Sequence, residues 1–233
     1  MRIGCIIQAR LDNARLPRKV LADIGGWPML KHVVLRLARM PESLPLFVAV
    51  PEQDLKELSE ALPAIGFHAP ECYAEDVLKR HLMIAQRNSL DAVMRVTSDC
   101  PLIDPYACAE LVGIYLSGHY DYVANDLIQS YPDGLGCEIM STKALRWADV
   151  SLRPLDPEKP SYDRVHVSPW ILRKVKEGFF AGRNVVCPIP KIAELKFSVD
   201  TQDDLDRVRA IDDAVRPADY SLAATMEAYN RTQ

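Results

Sequence analysis

The 233-residue sequence has no apolar run long enough to cross a bilayer and no extended basic stripe outside its first loop. A transmembrane helix needs about 20 apolar residues in a row, and nonspecific nucleic-acid binding needs a basic surface. The formal net charge is -4, and the first residues begin a strand pattern rather than a signal peptide. We therefore expect a cytoplasmic protein that binds neither membranes nor nucleic acid.

The sequence also lacks paired cysteines, internal repeats and low-complexity segments. Its six cysteines form no C-x-x-C pair and mostly lie among apolar residues. This is typical of buried thiols in a cytosolic protein, and not of a zinc site or a disulfide framework. With 48% hydrophobic residues, the chain can bury one substantial core, so we predict a single domain over residues 1–233.

Short apolar runs alternate with helical patterns along most of the chain. The predicted strands are Ile3–Ile7, Leu46–Val50, Ala92–Val96, Tyr122–Ala124, Val185–Pro188 and Leu195–Val199. Helical spacing of apolar residues predicts helices at Met29–Met40, Leu55–Leu62 and Val77–Arg87, with others beginning near Pro105, Thr201 and Ser221. The alternation indicates an α/β fold with a Rossmann-like, mostly parallel sheet and helices on both faces.

Residues 126–170 interrupt this alternation and form a predicted small insertion. Four prolines fall within residues 126–160, and a helix over 162–176 is interrupted near Pro169. The insertion carries apolar residues that need a partner surface, namely Leu135, Ile139, Val165, Val167 and Trp170. We predict that it forms a two-fold homodimer; from the residues alone, a lid over the site remains an equal alternative.

A basic loop follows the first strand. Residues 8–19 contain Arg10, Arg15, Arg18 and Lys19, opposed only by Asp12. Ligands of open α/β sheets bind at the carboxyl ends of strands, so a basic loop there indicates a polyanion such as a triphosphate. Neither the Walker A nor the dinucleotide-binding glycine pattern is present. The alternative is a solvated basic loop with no ligand.

The loop pattern Arg10-x-x-x-x-Arg15-Leu16-Pro17-x-Lys19 resembles the R-x-x-S-x-R-L-P-x-K signature of sugar cytidylyltransferases. These enzymes make CMP-activated acid sugars, such as CMP-3-deoxy-manno-octulosonate and CMP-acylneuraminate. The sequence departs from the family at Asn13, Arg18 and Ser98, where the family has serine, glycine and glycine. Further blocks shared with the spore-coat polysaccharide biosynthesis branch follow in order between about residues 2 and 214: Glu75–Arg80, Arg95–Asp104, Tyr131–Gly134, His166–Pro169 and Val199–Leu205.

The resemblance implies a homodimeric enzyme that transfers CMP from CTP to the hydroxyl of a sugar or sugar acid and releases pyrophosphate. Two alternatives stay open: a glycosyltransferase that uses a nucleotide-sugar, and a noncatalytic nucleotide-sensing module. The metal motif D-x-D of many glycosyltransferases is incomplete here, because Asp99 has no second carboxylate beside it. The nucleotide-binding residues implied are Gln8, Ala9, Arg10, Asn13, Arg15, Lys19, Arg80 and Asp99.

Nucleotidyl transfer requires a neutralised triphosphate, a bridging metal ion and an aligned hydroxyl. Arginine and lysine side chains can bind the phosphates. Asp99 and Asp200 each follow a predicted strand, and carboxylates together with phosphate oxygens suit Mg2+. We predict that both hold Mg2+, since Asp104 and Thr201 are better placed as helix caps. The predicted catalytic residues are Arg10, Lys19, Asp99 and Asp200.

Three further positions have two interpretations each. Arg80 resembles a family position near the nucleotide, or it is a solvated helix residue. Arg164 and His166 are predicted to bind the acid group of the acceptor, although the histidine could instead pack at a subunit contact. The turn at Asp133 and Gly134 is interpreted as conformational rather than catalytic.

Overall fold

A seven-stranded sheet organises the computed structural model, which describes residues 1–152, 161–215 and 219–233. The strands are β1 (Ile3–Gln8), β2 (Asp23–Ile24), β3 (Trp27–Pro28), β4 (Leu46–Ala49), β5 (Phe67–His68), β6 (Ala92–Thr97), β7 (Tyr122–Ala124), β8 (Glu138–Ser141) and β9 (Gly182–Asn184). The helices are α1 (Met29–Leu37), α2 (Glu52–Ala61), α3 (Val77–Arg87), α4 (Pro105–Ser117), α5 (Thr142–Ser151), α6 (Tyr162–His166), α7 (Pro169–Lys176), α8 (Gln202–Ala214) and α9 (Leu222–Thr232).

The strand order is β5-β4-β1-β6-β8-β7-β9, with β2 and β3 forming a separate hairpin. Strands β5, β4, β1 and β6 run parallel, whereas β8 is antiparallel to both of its neighbours. The chain leaves β1 for β4 on one side and later places β6 on the other. Strands β1 and β6 therefore flank the switch point at which such sheets bind ligands, and Gln8 pairs with Thr97 at their carboxyl ends.

Helices cover both faces of this sheet, as the alternation predicts. Ile3, Cys5 and Ile7 of β1 face one apolar cluster that includes α1, α2 and α4. Ile6 faces the opposite cluster, built with α3, α5 and α7. Alternate strand residues thus bury into different layers, which confirms the predicted α/β class.

Two predicted strands are wrong. Val185–Pro188 and Leu195–Val199 lie outside the sheet, and the short edge strand β9 precedes them. Pro188 and Pro190 cannot donate to a ladder. The backbone of 195–199 instead bonds to loop residues, because Phe197 N donates to Asp133 O at 2.6 Å and Val199 N to Asp99 O at 2.9 Å. The apolar residues of this segment resemble those of a buried strand, but its backbone hydrogen bonds go to loop residues.

The structure divides the predicted insertion. Strand β8 lies between β6 and β7, and α5 packs against α3, so 138–151 belong to the main fold. The expectation that Leu135, Ile139 and Val167 need a partner surface is wrong, since all three are buried within the chain. Residues 153–160 lie outside the described residues.

Helix α8 begins with the predicted capping box, in which Thr201 Oγ1 accepts from Asp204 N while the Asp204 carboxylate accepts from Thr201 N. Asp104 caps α4 as expected and also accepts from Leu222 N at the start of α9, at 2.8 Å. One carboxylate thereby joins the C-terminal helix to the sheet layer.

The described cysteines are all free thiols, five of them buried, as predicted. In the described ranges, no helix has both the length and the apolarity that a membrane crossing requires.

Candidate active site

A cleft of about 380 Å³ opens at the carboxyl ends of β1 and β6. All of the predicted site residues except Arg164 line it. They are Gln8, Ala9, Arg10, Asn13, Arg15, Lys19, Arg80, Asp99, His166 and Asp200. The topology brings together segments that are up to about 190 positions apart in the chain, as expected at a switch point.

The first loop is held by its own backbone and by α2. Leu11 N donates to the Asp54 carboxylate at 2.9 Å, and Arg18 N returns to Leu11 O at 3.0 Å. Arg18 adopts a left-handed conformation (φ 60°) immediately before the short 3-10 helix Lys19–Leu21. A non-glycine residue in this conformation is uncommon, and here it turns the chain so that Lys19 points inward.

Lys19 is only 5% exposed, so the solvated alternative is wrong for this residue. Its Nζ donates to Asp99 Oδ2 at 2.9 Å, to Asp200 Oδ1 at 3.2 Å and to Val199 O at 2.8 Å. All three ammonium hydrogens therefore have acceptors. The two carboxylates predicted to hold a metal ion are brought within reach of a single cation.

Asp200 lies in a larger charged network. Arg15 contacts its Oδ1 at 2.8 Å, and Lys196 contacts its Oδ2 at 3.1 Å. Burial alone would raise the pKa of Asp200, but hydrogen bonds from Lys196 and Lys19 outweigh that effect and lower the pKa below its usual range. The Asp200 carboxylate is therefore ionised at neutral pH.

The remaining loop residues point toward the opening of the cleft. Arg10 pairs with Glu75 at 3.0 Å, and both side chains are nearly half exposed. Such exposed pairs contribute little to stability, so Arg10 is available to an anionic ligand. Asn13 Oδ1 accepts from Arg15 N and Leu16 N at 3.3 and 3.4 Å, which leaves the amide nitrogen of Asn13 for a ligand.

The inner wall contains a partly buried arginine that the sequence analysis missed. Arg95 Nε donates to Gln8 Oε1 at 2.8 Å, and its guanidinium also bonds to Glu138, which accepts a further hydrogen bond from Tyr122. Because Gln8 Oε1 is used, its amide nitrogen is left as a donor. A charged residue inside the apolar run Ala92–Val96 was the available signal, since a buried charge needs partners.

Arg80 is 3% exposed and is not a solvated helix residue. Its guanidinium donates to Ala74 O at 2.6 Å, while its buried Nε has no hydrogen-bond partner among the described residues. An unpaired buried donor costs free energy. Arg80 also lines the cleft, so its guanidinium group is placed to bind an acceptor group of a ligand.

Arg164 and His166 occupy different environments. Arg164 is 2% exposed and bonds to Asp76 at 2.9 Å and Asp149 at 2.6 Å, so it joins α3, α5 and α6 outside the cleft. His166 faces the cleft. Burial lowers the pKa of its imidazole, and Arg95 and Arg10 lower it further, so the ring is neutral at pH 7.

Asp133 and Ser198 also line the cleft and were not predicted as site residues. The Tyr131–Gly134 block was interpreted as a turn, and Ser198 lay within a predicted strand. The sequence around these two residues gives no sign that they belong to the site. They are brought together by the long-range hydrogen bond from Ser198 Oγ to the Asp133 carboxylate.

Some relatives of known sequence match most of the chain, and others match only about half of it. The chain is 30% identical over 177 residues to an uncharacterized protein of Methanocaldococcus jannaschii, covering 73% of this chain and 67% of that protein. It is 23% identical to the spore coat polysaccharide biosynthesis protein SpsF of Bacillus subtilis, covering 88% and 84%. It is 34% identical to the 3-deoxy-manno-octulosonate cytidylyltransferase of Geobacter metallireducens, but over only 48% of this chain and 44% of that enzyme.

Solved structures confirm the fold. A cytidylyltransferase from Leptospira borgpetersenii superposes with a TM-score of 0.88 at 22% identity, covering 100% of this chain and 95% of that one. A CMP:2-keto-3-deoxy-manno-octonic acid synthetase complexed with CTP superposes with a TM-score of 0.64 at 19% identity, covering 91% and 98%. Both place this chain in the nucleotidyltransferase fold.

A family model described as cytidylyltransferase matches residues 4–212, which is most of the chain. The match includes the basic loop, both predicted metal-binding aspartates and most of α8. It confirms the resemblance and the predicted enzyme class, and it supports neither the glycosyltransferase nor the nucleotide-sensing alternative. The chain therefore belongs to the cytidylyltransferase family.

Proposed function

We propose that the cleft transfers CMP from CTP to the hydroxyl of a sugar acid, with release of pyrophosphate. One observation carries the proposal: a buried lysine lies between two carboxylates at the switch point of a cytidylyltransferase fold, with Arg10 and Arg15 beside it. This arrangement offers cations for a triphosphate and carboxylates for a metal ion at the same place.

The phosphate-binding groups are Arg10, Arg15 and Lys19. Arg10 and Arg15 have their side chains 46% and 64% exposed, so each can exchange its present partner for phosphate oxygens. Guanidinium groups bind phosphate in bidentate fashion, and the lysine acts as a point charge. Charge placed where negative charge develops in the transition state is the usual main source of rate acceleration.

Asp99 and Asp200 fit a divalent metal ion such as Mg2+. Both carboxylates lie within 3.2 Å of Lys19 Nζ, and their side chains are 29% and 20% exposed toward the cleft. Oxygen donors of this kind suit Mg2+, which also takes phosphate oxygens and water. A bound ion would neutralise phosphate charge and polarise the α-phosphate.

The other end of the cleft is suited to the nucleoside and the acceptor. Arg80, Arg95 and His166 line this part of the cleft, and Gln8 has a free amide nitrogen there. Donors facing the cleft can bind carbonyl or carboxylate oxygens. We assign Arg80 and Gln8 to the nucleotide and His166 to the acceptor, while Arg164 positions α6 through its two ion pairs.

We also propose a homodimer, on different residues from those that the sequence suggested. Within the described part of residues 126–186, an exposed apolar patch is formed by Trp147, Val150 and Phe179, which are 48%, 60% and 55% exposed. The Trp147 and Phe179 rings meet edge to face at 5.9 Å. Exposed apolar patches of this kind mark interaction surfaces, and identical subunits most often associate about a two-fold axis.

The first test is nucleotide preference. We expect CTP with Mg2+ to raise the melting temperature more than ATP, GTP or UTP, because saturation at 100 times the dissociation constant adds about 2.7 kcal/mol of stability. Pyrophosphate release from CTP should then depend on an added sugar acid, with 3-deoxy-manno-octulosonate as the first acceptor. Equal shifts for all four nucleotides would contradict the assignment of CTP.

The second test is Lys19→Met. We expect a rate loss on the order of 100-fold or more, because a charge near the transferring phosphate is removed. The ligand-free variant should also unfold more easily, by about 1–3 kcal/mol, since Asp99 and Asp200 lose their shared donor. Lys56→Met, at an exposed position of α2, is the matched control. Turnover near that of the wild type would remove Lys19 from the mechanism.

The third test separates metal binding from structure at Asp99 and Asp200. Asp99→Asn and Asp200→Asn should each nearly abolish turnover and weaken Mn2+ binding, measured by paramagnetic resonance in the presence of CTP. The double variant should cost little more, because residues that act as a unit are non-additive. Active single variants that bind Mn2+ normally and lose only about 1 kcal/mol of stability would indicate structural roles.

The fourth test is assembly. Light scattering at micromolar concentration should give twice the chain mass of 26.2 kDa, and Trp147→Lys should shift the protein toward the monomer. Tyr106→Lys is the control, since Tyr106 is 51% exposed on α4 and lies outside the apolar patch. A monomeric wild-type protein would overturn the dimer.

A further inference from the structure

Asp133 is the carboxylate of the cleft that has no cationic partner among the described residues. Three aspartates line the cleft, Asp99, Asp133 and Asp200. Lys19 binds both Asp99 and Asp200. The Asp133 carboxylate accepts one hydrogen bond, from Ser198 Oγ to Oδ2 at 2.8 Å. Its Oδ1 therefore remains open to a ligand.

The backbone of Asp133 is firmly held. Asp133 N donates to Leu195 O at 3.0 Å, and Asp133 O accepts from Phe197 N at 2.6 Å and Ser198 N at 3.1 Å. Gly134 follows with φ 96°, and a Cβ there would lie 2.2 Å from Ser198 N. The chains approach this closely only because residue 134 is glycine. The carboxylate consequently has a defined position, although its side chain is exposed to the cleft.

The same backbone segment connects Asp133 to the residues that bind the phosphates and the metal ion under the proposed function. Ser198 holds Asp133, Val199 N bonds to Asp99 O at 2.9 Å, and Asp200 follows directly. The acceptor hydroxyl must reach the α-phosphate bound near Lys19, Asp99 and Asp200. A fixed carboxylate with a free oxygen at that edge is suited to receive a hydroxyl proton.

We propose that Asp133 binds the attacking hydroxyl of the acceptor and takes its proton. The inference rests on the proposed function and adds a general base to it. The hydroxyl oxygen forms a bond to the α-phosphorus while the bond from that phosphorus to the β-phosphate bridging oxygen breaks. The proton moves to the Asp133 carboxylate, and pyrophosphate leaves with the electron pair of the broken bond.

The test compares Asp133→Asn, Asp133→Glu and Ser198→Ala with the wild type. Pyrophosphate release is followed with CTP, Mg2+ and 3-deoxy-manno-octulosonate. Asp133→Asn should lower kcat by about 10²- to 10⁴-fold, the usual contribution of a general base. Asp133→Glu and Ser198→Ala, which keep a carboxylate at position 133, should lose less. The dissociation constant for CTP should be unchanged in all three variants.

Asp206→Asn is the control, because Asp206 is an exposed carboxylate of α8 that pairs with Arg209 outside the cleft. Unchanged kcat in Asp133→Asn would overturn the inference. Recovery of that variant by excess Mn2+ would overturn it in favour of a metal ligand, and a lowered melting temperature with normal kcat would leave only a conformational role. A wild-type protein that releases no pyrophosphate with any sugar acid would instead refute the proposed function itself.

Discussion

The contact between Lys19 and its three acceptors is the interaction on which the site depends. A buried ammonium is tolerated only where acceptors surround it, and here they come from Asp99, Val199 and Asp200. These residues are 80 to 181 positions from Lys19. The basic loop, the end of β6 and the start of α8 therefore come together through one nitrogen atom. The contacts that hold these three segments together are therefore also the contacts that assemble the site.

A second buried network supports the opposite wall. Glu138 lies on β8 and bonds to both Arg95 on β6 and Tyr122 on β7. This antiparallel strand thus supplies the counter-charge that lets Arg95 lie beside the cleft and orient Gln8. Strand β8 lies within residues 126–170, which the sequence predicted to be an insertion, and it contributes directly to the geometry of the site.

Local patterns were enough to predict the parts of the fold that depend on local chemistry. Strands β1, β4, β6 and β7, helix α3 and the caps at Asp104 and Thr201 were recognised because apolar periodicity and capping act over a few residues. Leu195–Val199 was misassigned because its hydrogen bonds go to distant loops. The basic loop and Asp99 were predicted from their position after true strands, whereas Asp200 was predicted from its position after the misassigned segment, and all of them line the cleft. Arg95 and Asp133 were missed because their partners lie 43 or more residues away.

Charge balance distinguishes the two ends of the cleft. At the phosphate end, Lys19, Arg15 and Lys196 face Asp99, Asp200 and Asp204, so the cations are already matched. A triphosphate entering this end brings about four further negative charges, which the protein alone does not offset. Under the proposed function, nucleotide and divalent cation must then strengthen each other's binding, because linkage between two sites is reciprocal. At the other end, Arg80, Arg95 and a neutral His166 line the cleft. The hydrogen-bond donors at that end can bind a neutral base and an anionic acceptor without a metal ion.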